Sequence, residues 1–438
     1  MWFSQFKADS NWTWLCCCFS LLLFLLFPAL GGVGLIVVMF VLWRDNWDKI
    51  VSSNMFRGWG ILAGWLILSS ALAEQPSEAW LGLANLLPFF ALFIALSYLI
   101  TQPSQLRQLS WLLILPSLPI VILGLGQLYA GWDTPVWLES ILGWQLVPLG
   151  VPSGRMSSVF IYANFLAIYL AIAFTLTLGL WLETWQRWDR TTTQALVWLL
   201  LTLILIADLG GLFLTSSRSA WGLAVFSFIA YAVCLGWRWL ILAIASAATA
   251  ILWASFVPNF VGIQLRRVVP AVIWMRLSDR LYERPVETLR ITQWQFCWDL
   301  IEQRPWFGWG LRNFTPLYEA KMNVWFGHPH NLFLMLSAEA GIVTVLLLVI
   351  IVGSILMPAV KLLLTQTVGD KLILVSYIIA FTSCILFNLT DVSIFDLRVN
   401  TICWILLAAI NGAIVNQSIK VNNIRRSLTI NQQGDKIG

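Results

Sequence analysis

Residues 195–235 read ALVWLLLTLILIADLGGLFLTSSRSAWGLAVFSFIAYAVCL, and this stretch decides the fold class. Two apolar runs, 195–214 and 220–235, flank a short polar turn, and Asp208 and Arg218 are the only charged residues in the stretch. Runs this long and this apolar point to membrane-spanning helices, which need about 20 such residues each. Ten more runs follow the same rule, at 14–30, 31–43, 59–73, 80–100, 111–130, 157–181, 239–257, 331–357, 372–389 and 400–416. The whole chain agrees: 59% of the 438 residues are hydrophobic, 11% are charged and the mean hydropathy is +0.81, whereas soluble domains are about a quarter charged. A soluble globular protein is excluded, and an all-α polytopic membrane protein of about twelve transmembrane helices is expected.

The second run is short, and Pro28, Gly31 and Gly32 mark either a tight turn between two spans or a break in one long helix. The placement of Lys and Arg favours twelve spans with both termini cytoplasmic. In that arrangement fourteen lie on the inner side, three lie in short outer loops (Arg155, Arg218 and Arg398), and nine lie in one long outer loop. Positive residues collect on the cytoplasmic side of short loops, and long loops are largely exempt. Orientation in the inner membrane thus accounts for the net charge of +5 without nucleic acid as a partner. The expected organisation is spans one to nine in 1–257, an outer loop in 258–330, and spans ten to twelve with a cytoplasmic tail in 331–438. Within the loop, 288–303 has Trp294, Cys297, Trp298 and Ile301 at helical spacing, with Pro305 closing the helix. Such a helix would lie on the membrane surface or cap the bundle. Six of the seven cysteines fall in apolar runs, with neither a disulfide framework nor zinc spacing. No small-residue cleavage site follows Trp14–Leu30, so a retained helix is expected rather than a signal peptide.

The arginines outside on short loops depart from the charge rule and need a reason. Arg218 lies in the turn Thr215-Ser216-Ser217-Arg218-Ser219, and Arg155, in Pro152-Ser153-Gly154-Arg155-Met156, opens a span in the same way. A phosphate group suits both, because guanidinium binds it bidentately; snorkelling to lipid headgroups or pairing with an acid would also account for them. Arg276, Arg280 and Arg284 recur every four residues and read as a solvated or headgroup-facing stripe. Arg290 shares its helical face with Trp294 and Cys297, which turns it towards the bundle and makes it the better ligand-binding candidate. Only two histidines exist, in His328-Pro329-His330-Asn331 at the start of an apolar run. An imidazole there suits a general base for a hydroxyl nucleophile. A metal site lacks further His or Cys ligands nearby, and a turn motif is the remaining alternative. Glu339 and Asp208 are intramembrane acids, functional by default or else satisfied structurally. Asp391, Asp396 and Arg398 occupy the last outer turn, where an Asp-to-Arg ion pair would explain them. Pro305-Trp306-Phe307-Gly308-Trp309-Gly310 reads as a turn rather than a phosphate loop.

Ordered together, these pieces resemble a known family. Ser216-Ser217-Arg218-Ser219-Ala220, Arg290 opening a helix that ends in Arg304-Pro305-Trp306-Phe307-Gly308-Trp309-Gly310, and His330-Asn331-Leu332-Phe333 followed by Ala338-Glu339-Ala340-Gly341 are similar to the O-antigen ligase and polymerase (WaaL/Wzy) superfamily. Arg155 with Tyr162-Ala163-Asn164 resembles the family's arginine and Asn-containing helix start. The resemblance implies a GT-C-like bundle that takes a glycan from undecaprenyl diphosphate on the periplasmic face and passes it to a glycan or glycolipid acceptor. It implies His330 as the catalytic base, Arg155, Arg218 and Arg290 as diphosphate ligands, and His328, Asn331 and Glu339 as supporting residues. It implies no cofactor and no metal, with membrane lipids as the other partners. Asp391 to Thr401 resembles the cyanobacterial branch, some members of which are described as bicarbonate transporters. An anion transporter is therefore the second expectation; it would need charged groups and broken helices near the bilayer midplane, where Asp208 with Gly210 and Gly211 stands.

Overall fold

The computed structural model describes residues 12–278, 285–365 and 371–434. Among these residues every regular element is a helix. The first turn settles the second apolar run: α1 (Trp12–Phe24) and α2 (Pro28–Val51) are separate helices that pack back to back. Pro28 occupies the start of α2, where a missing N–H costs nothing. Gly31 lets the backbones close, since a Cβ there would lie 2.5 Å from Phe24 Cα. Next come α3 (Asn54–Ala71), α4 (Pro76–Leu83), α5 (Leu87–Leu99), α6 (Pro103–Ile114), α7 (Ser117–Tyr129) and the short α8 (Val136–Leu142). Four long helices follow, α9 (Ala163–Gln186), α10 (Thr192–Leu214), α11 (Arg218–Leu235) and α12 (Arg238–Phe256). A group of shorter ones comes after them, α13 (Phe260–Val268), α14 (Ala271–Leu277), α15 (Arg290–Gln303), α16 (Phe314–Met322) and α17 (Leu332–Ala340). The chain ends in α18 (Ile342–Thr365), α19 (Lys371–Asn388) and α20 (Leu397–Gly434).

Among the described residues ten segments are long and apolar enough to cross a membrane, counting α4 with α5 and α6 with α7 as one each. The 13-residue α1 and the 18-residue α3 fill the first and third of the twelve runs. The protein is an all-α polytopic membrane protein. Its centre is α9, buried along nearly its whole length against α6, α10, α11 and α19.

Successive connections alternate between the two ends of the bundle, and hydrogen bonds tie those at one end together. Trp144 Nε1 donates to Leu26 O (2.7 Å), Met156 N–H to Leu214 O (3.0 Å) and Glu74 N–H to Trp309 O (2.8 Å). The hydroxyls of Ser219 and Thr390 meet at 2.7 Å, and Arg398 Nη2 donates to Val159 O at 2.9 Å. At the other end Arg107 pairs with Glu183 at 2.6 Å. Everything that follows concerns the first of these ends.

The apolar run 331–357 is not one helix. It breaks at Gly341, whose φ is +84° and where a Cβ would lie 1.7 Å from Trp306 O. Trp309 N–H and Gly310 N–H donate to Ala338 O and Glu339 O at 3.0 and 2.7 Å. These are the open carbonyls at the C-terminal end of α17, so the Pro305–Gly310 segment is a turn whose Gly308, Trp309 and Gly310 amides are spent on protein. Glu339, expected inside a span, instead ends α17, and its Oε1 accepts from Phe314 N–H at 3.0 Å. The loop helix α15 buries Gln293, Phe296, Cys297, Leu300 and Ile301 against Phe314, Tyr318 and Ala338. Trp298 is not on that face: it lies about 100° round the helix from Cys297, is 56% exposed, and donates to Glu302.

Candidate active site

His330 is held by its neighbours in sequence before anything else touches it. Asn331 caps α17, its side chain accepting from Leu334 N–H at 3.0 Å, which ties one otherwise orphaned amide. The residue before the cap must turn sharply, and His330 does so at φ +54°, a left-handed conformation that costs a side-chain-bearing residue roughly 1–2 kcal/mol. Trp294 Nε1 of α15 donates to Pro329 O at 2.9 Å and anchors the loop from the other side. Strain kept in place by several independent contacts is typical of functional positions.

The proton positions follow from the partners. His330 N–H donates to His328 Nδ1 at 3.3 Å, so a neutral His328 carries its proton on Nε2, which lies 3.8 Å from Asp391 Oδ1. Burial pushes His328 down to about 4, and it is therefore neutral at neutral pH. His330 Nδ1 lies 3.1 Å from the same Asp391 oxygen. Burial alone would raise the Asp391 carboxyl, but the hydrogen bond from His330 and the charges of His330, His328 and Arg290 hold it at about 2. An ionised carboxylate accepts only, so His330 places its proton on Nδ1 and leaves the Nε2 lone pair free.

Asp391 continues the chain of contacts inward. Asn164, in the first turn of α9, donates through Nδ2 to Asp391 Oδ2 and accepts at Oδ1 from Arg155 Nη2 at 2.6 Å. Arg155 Nε in turn donates to Thr215 O at 2.7 Å, in the turn before Arg218. One buried path thus joins His330, Asp391, Asn164 and Arg155. The expected Asp-to-Arg ion pair of this turn is made by Asp396, 3.5 Å from Arg398, while the sharp 389–396 turn points Asp391 towards α9 and the His loop.

Two cavities meet at His330. The smaller, about 380 Å3, is lined by Arg155, Arg218, Arg276 and Arg290 together with Ser217, Ser219 and His330. The larger, about 810 Å3, is lined by His328, Asp391, Trp325, Phe395, Glu78, Arg312 and Glu319 among others. His330, Asn164, Tyr162 and Phe326 line both and form the wall between them. Arg276 corrects the expectation of a solvated stripe: it is 6% exposed, and its Nε donates to Ser216 O at 3.2 Å. Arg280 and Arg284, the rest of that stripe, lie outside the described residues.

The three diphosphate candidates and His330 therefore come together, His328 stands beside them in the larger cavity, and Asn331 and Glu339 line neither. Their place is structural, through the cap of α17 and its C-terminal lock. Arg276, Asn164 and Asp391 complete the site and had weaker sequence signals. The signal available was polarity at segment ends, since Asn164 opens an otherwise apolar helix and Asp391 closes one.

His328, His330 and Asp391 offer ligand atoms within 4.8 Å of one another, the residue types of a metal site. The backbone N–H at His328 Nδ1 puts a proton on the ring nitrogen that faces Asp391, which suits a hydrogen-bonded trio better than a coordinated ion.

Residues 201–349 match a family described as O-antigen ligase. The chain carries an O-antigen ligase-type domain. The matched segment holds Arg218, Arg276, Arg290, His328 and His330, and the resemblance to the ligase and polymerase superfamily is borne out there. Arg155, Asn164 and Asp391 lie outside the match and reach the site through the fold. The comparison with curated proteins gave no match. The family supports a glycosyltransferase-type activity in a membrane protein that works on lipid-linked glycans.

Proposed function

We propose that this O-antigen ligase-type protein transfers a glycan from a polyprenyl diphosphate to a hydroxyl of an acceptor sugar, at the periplasmic face of the inner membrane. The observation that carries the proposal is the position of His330 in the wall between an arginine-lined cavity and a larger one. The donor diphosphate would occupy the smaller cavity, and the acceptor the larger. His330 Nε2 takes the proton of the acceptor hydroxyl as that oxygen attacks the anomeric carbon. The bond from that carbon to the diphosphate oxygen breaks, and the diphosphate leaves with its charge balanced by Arg155, Arg218, Arg276 and Arg290. Asp391 keeps the His330 proton on Nδ1 and stabilises the imidazolium that forms. The orientation rests on the charge count, with both termini cytoplasmic and the His330 end outside.

An anion transporter is less well supported. Asp208 of α10 is fully buried and lines neither cavity, and a carboxyl is a poor host for bicarbonate. The breaks at Pro88 and Pro116 lie in α4–α5 and α6–α7, neither of which contributes an arginine to the smaller cavity. The test is His330→Ala in a reconstituted transfer assay. Transfer should fall by roughly 10²–10⁴-fold while the protein still inserts and binds donor; undiminished transfer would reject His330 as the base.

A further inference from the structure

We propose that the larger cavity selects an uncharged pyranose and excludes acidic sugars, with Trp325 as its stacking platform and Glu319 as its excluding charge. This rests on the transfer reading above and adds the class of acceptor. A cavity of about 810 Å3 falls in the range of roughly 300–1,000 Å3 common for small-molecule sites, enough for the end of a saccharide. Its rim and walls are aromatic: Trp325 is 66% exposed, and Phe326, Tyr162 and Phe395 line the interior. A pyranose has apolar C–H faces that pack on such rings, and a hydroxyl edge that needs charged or polar partners. Glu78 and Arg312, paired at 3.0 Å, supply donors and an acceptor side by side.

Charge separates the two cavities. Glu78 already matches Arg312, so Glu319 and the ionised Asp391 beside His330 make the lining of the larger cavity negative, with Glu319 the exposed one of the two. Four arginines make the smaller one strongly positive. Anions are drawn to one side of His330 and repelled from the other, so diphosphate and acceptor cannot exchange places. A uronate or other carboxylated sugar meets the same repulsion as a misplaced diphosphate, whereas a neutral ring does not.

The test uses the full chain in detergent and saturation-transfer NMR. The probes are methyl glycosides of glucose, galactose and N-acetylglucosamine, set against the matched methyl uronides, with inorganic pyrophosphate binding measured in parallel. Neutral sugars should bind roughly tenfold more tightly than their uronates, and Glu319→Lys should remove most of that preference. Trp325→Ala should weaken neutral sugar binding roughly fivefold and leave pyrophosphate binding unchanged. Both side chains are exposed, so neither variant threatens the fold. Equal or tighter uronate binding, an unaffected Trp325→Ala, or no neutral sugar bound by a sample that holds pyrophosphate would each overturn the proposal. Failure to hold pyrophosphate counts instead against the diphosphate site, and sugar preference is then still read on its own.

Discussion

Replacing Asp391 by Asn would keep the shape of the site and move one proton. The amide can donate to His330 Nδ1, which shifts the imidazole proton to Nε2 and removes the lone pair that faces the cavities. Activity should fall by roughly 10²–10⁴-fold with donor affinity nearly unchanged, checked by measuring kcat and donor KM separately; a change confined to KM would reject the positioning role. Arg218→Lys keeps the charge and loses the fork. Donor affinity should drop by roughly tenfold, measured as binding of a polyprenyl diphosphate, and full affinity would instead favour a headgroup contact. At this scale the sequence was informative about chemistry and weak about pairing. The scarcity of histidine pointed to His330, but the partner of Asp391 depends on a turn whose direction no local pattern encodes.

The helix α17 shows how an element sets up a site. Asn331 caps its start, and Gly308, Gly310 and Gly341 let the 305–310 turn lock its end. Glu339 sits in that lock, where burial raises its carboxyl to about 7 against hydrogen bonds from Phe314 and Arg312 amides. The folded state therefore holds the Glu339 proton more tightly than the unfolded chain does. This stabilisation is complete below the ordinary value of 4.5 and is lost as pH rises through 7. Thermal stability in detergent should decline between these values, by up to roughly 3 kcal/mol, and Glu339→Gln should flatten the decline; an unchanged pH profile in that variant would place the effect elsewhere. Periodicity and apolar length gave the spans and the existence of α15. They missed the Gly341 break, because the apolar pattern runs straight through it and only the close approach of Trp306 O reveals why the chain must turn.

For the whole molecule, alternation of the connections gathers Arg155, Arg218, Arg276, Arg290, His330 and Asp391 at one end from six different segments. Hydropathy and charge made that end legible in advance, since the arginines were singled out by violating the expected sidedness. Arg276 escaped because the long loop is exempt from the charge rule, and its burial comes from the packing of α14 against α12 and the Ser216 turn. A cysteine placed at position 153, in the loop beside Arg155, should react with an impermeant thiol reagent from the periplasm in a background without other accessible cysteines; labelling only from the cytoplasm would reverse the orientation. The most direct measurement is a structure of the chain with a polyprenyl diphosphate bound. Both phosphates should lie among Arg155, Arg218, Arg276 and Arg290, next to His330, and phosphates bound where none of these arginines reaches would contradict the assignment.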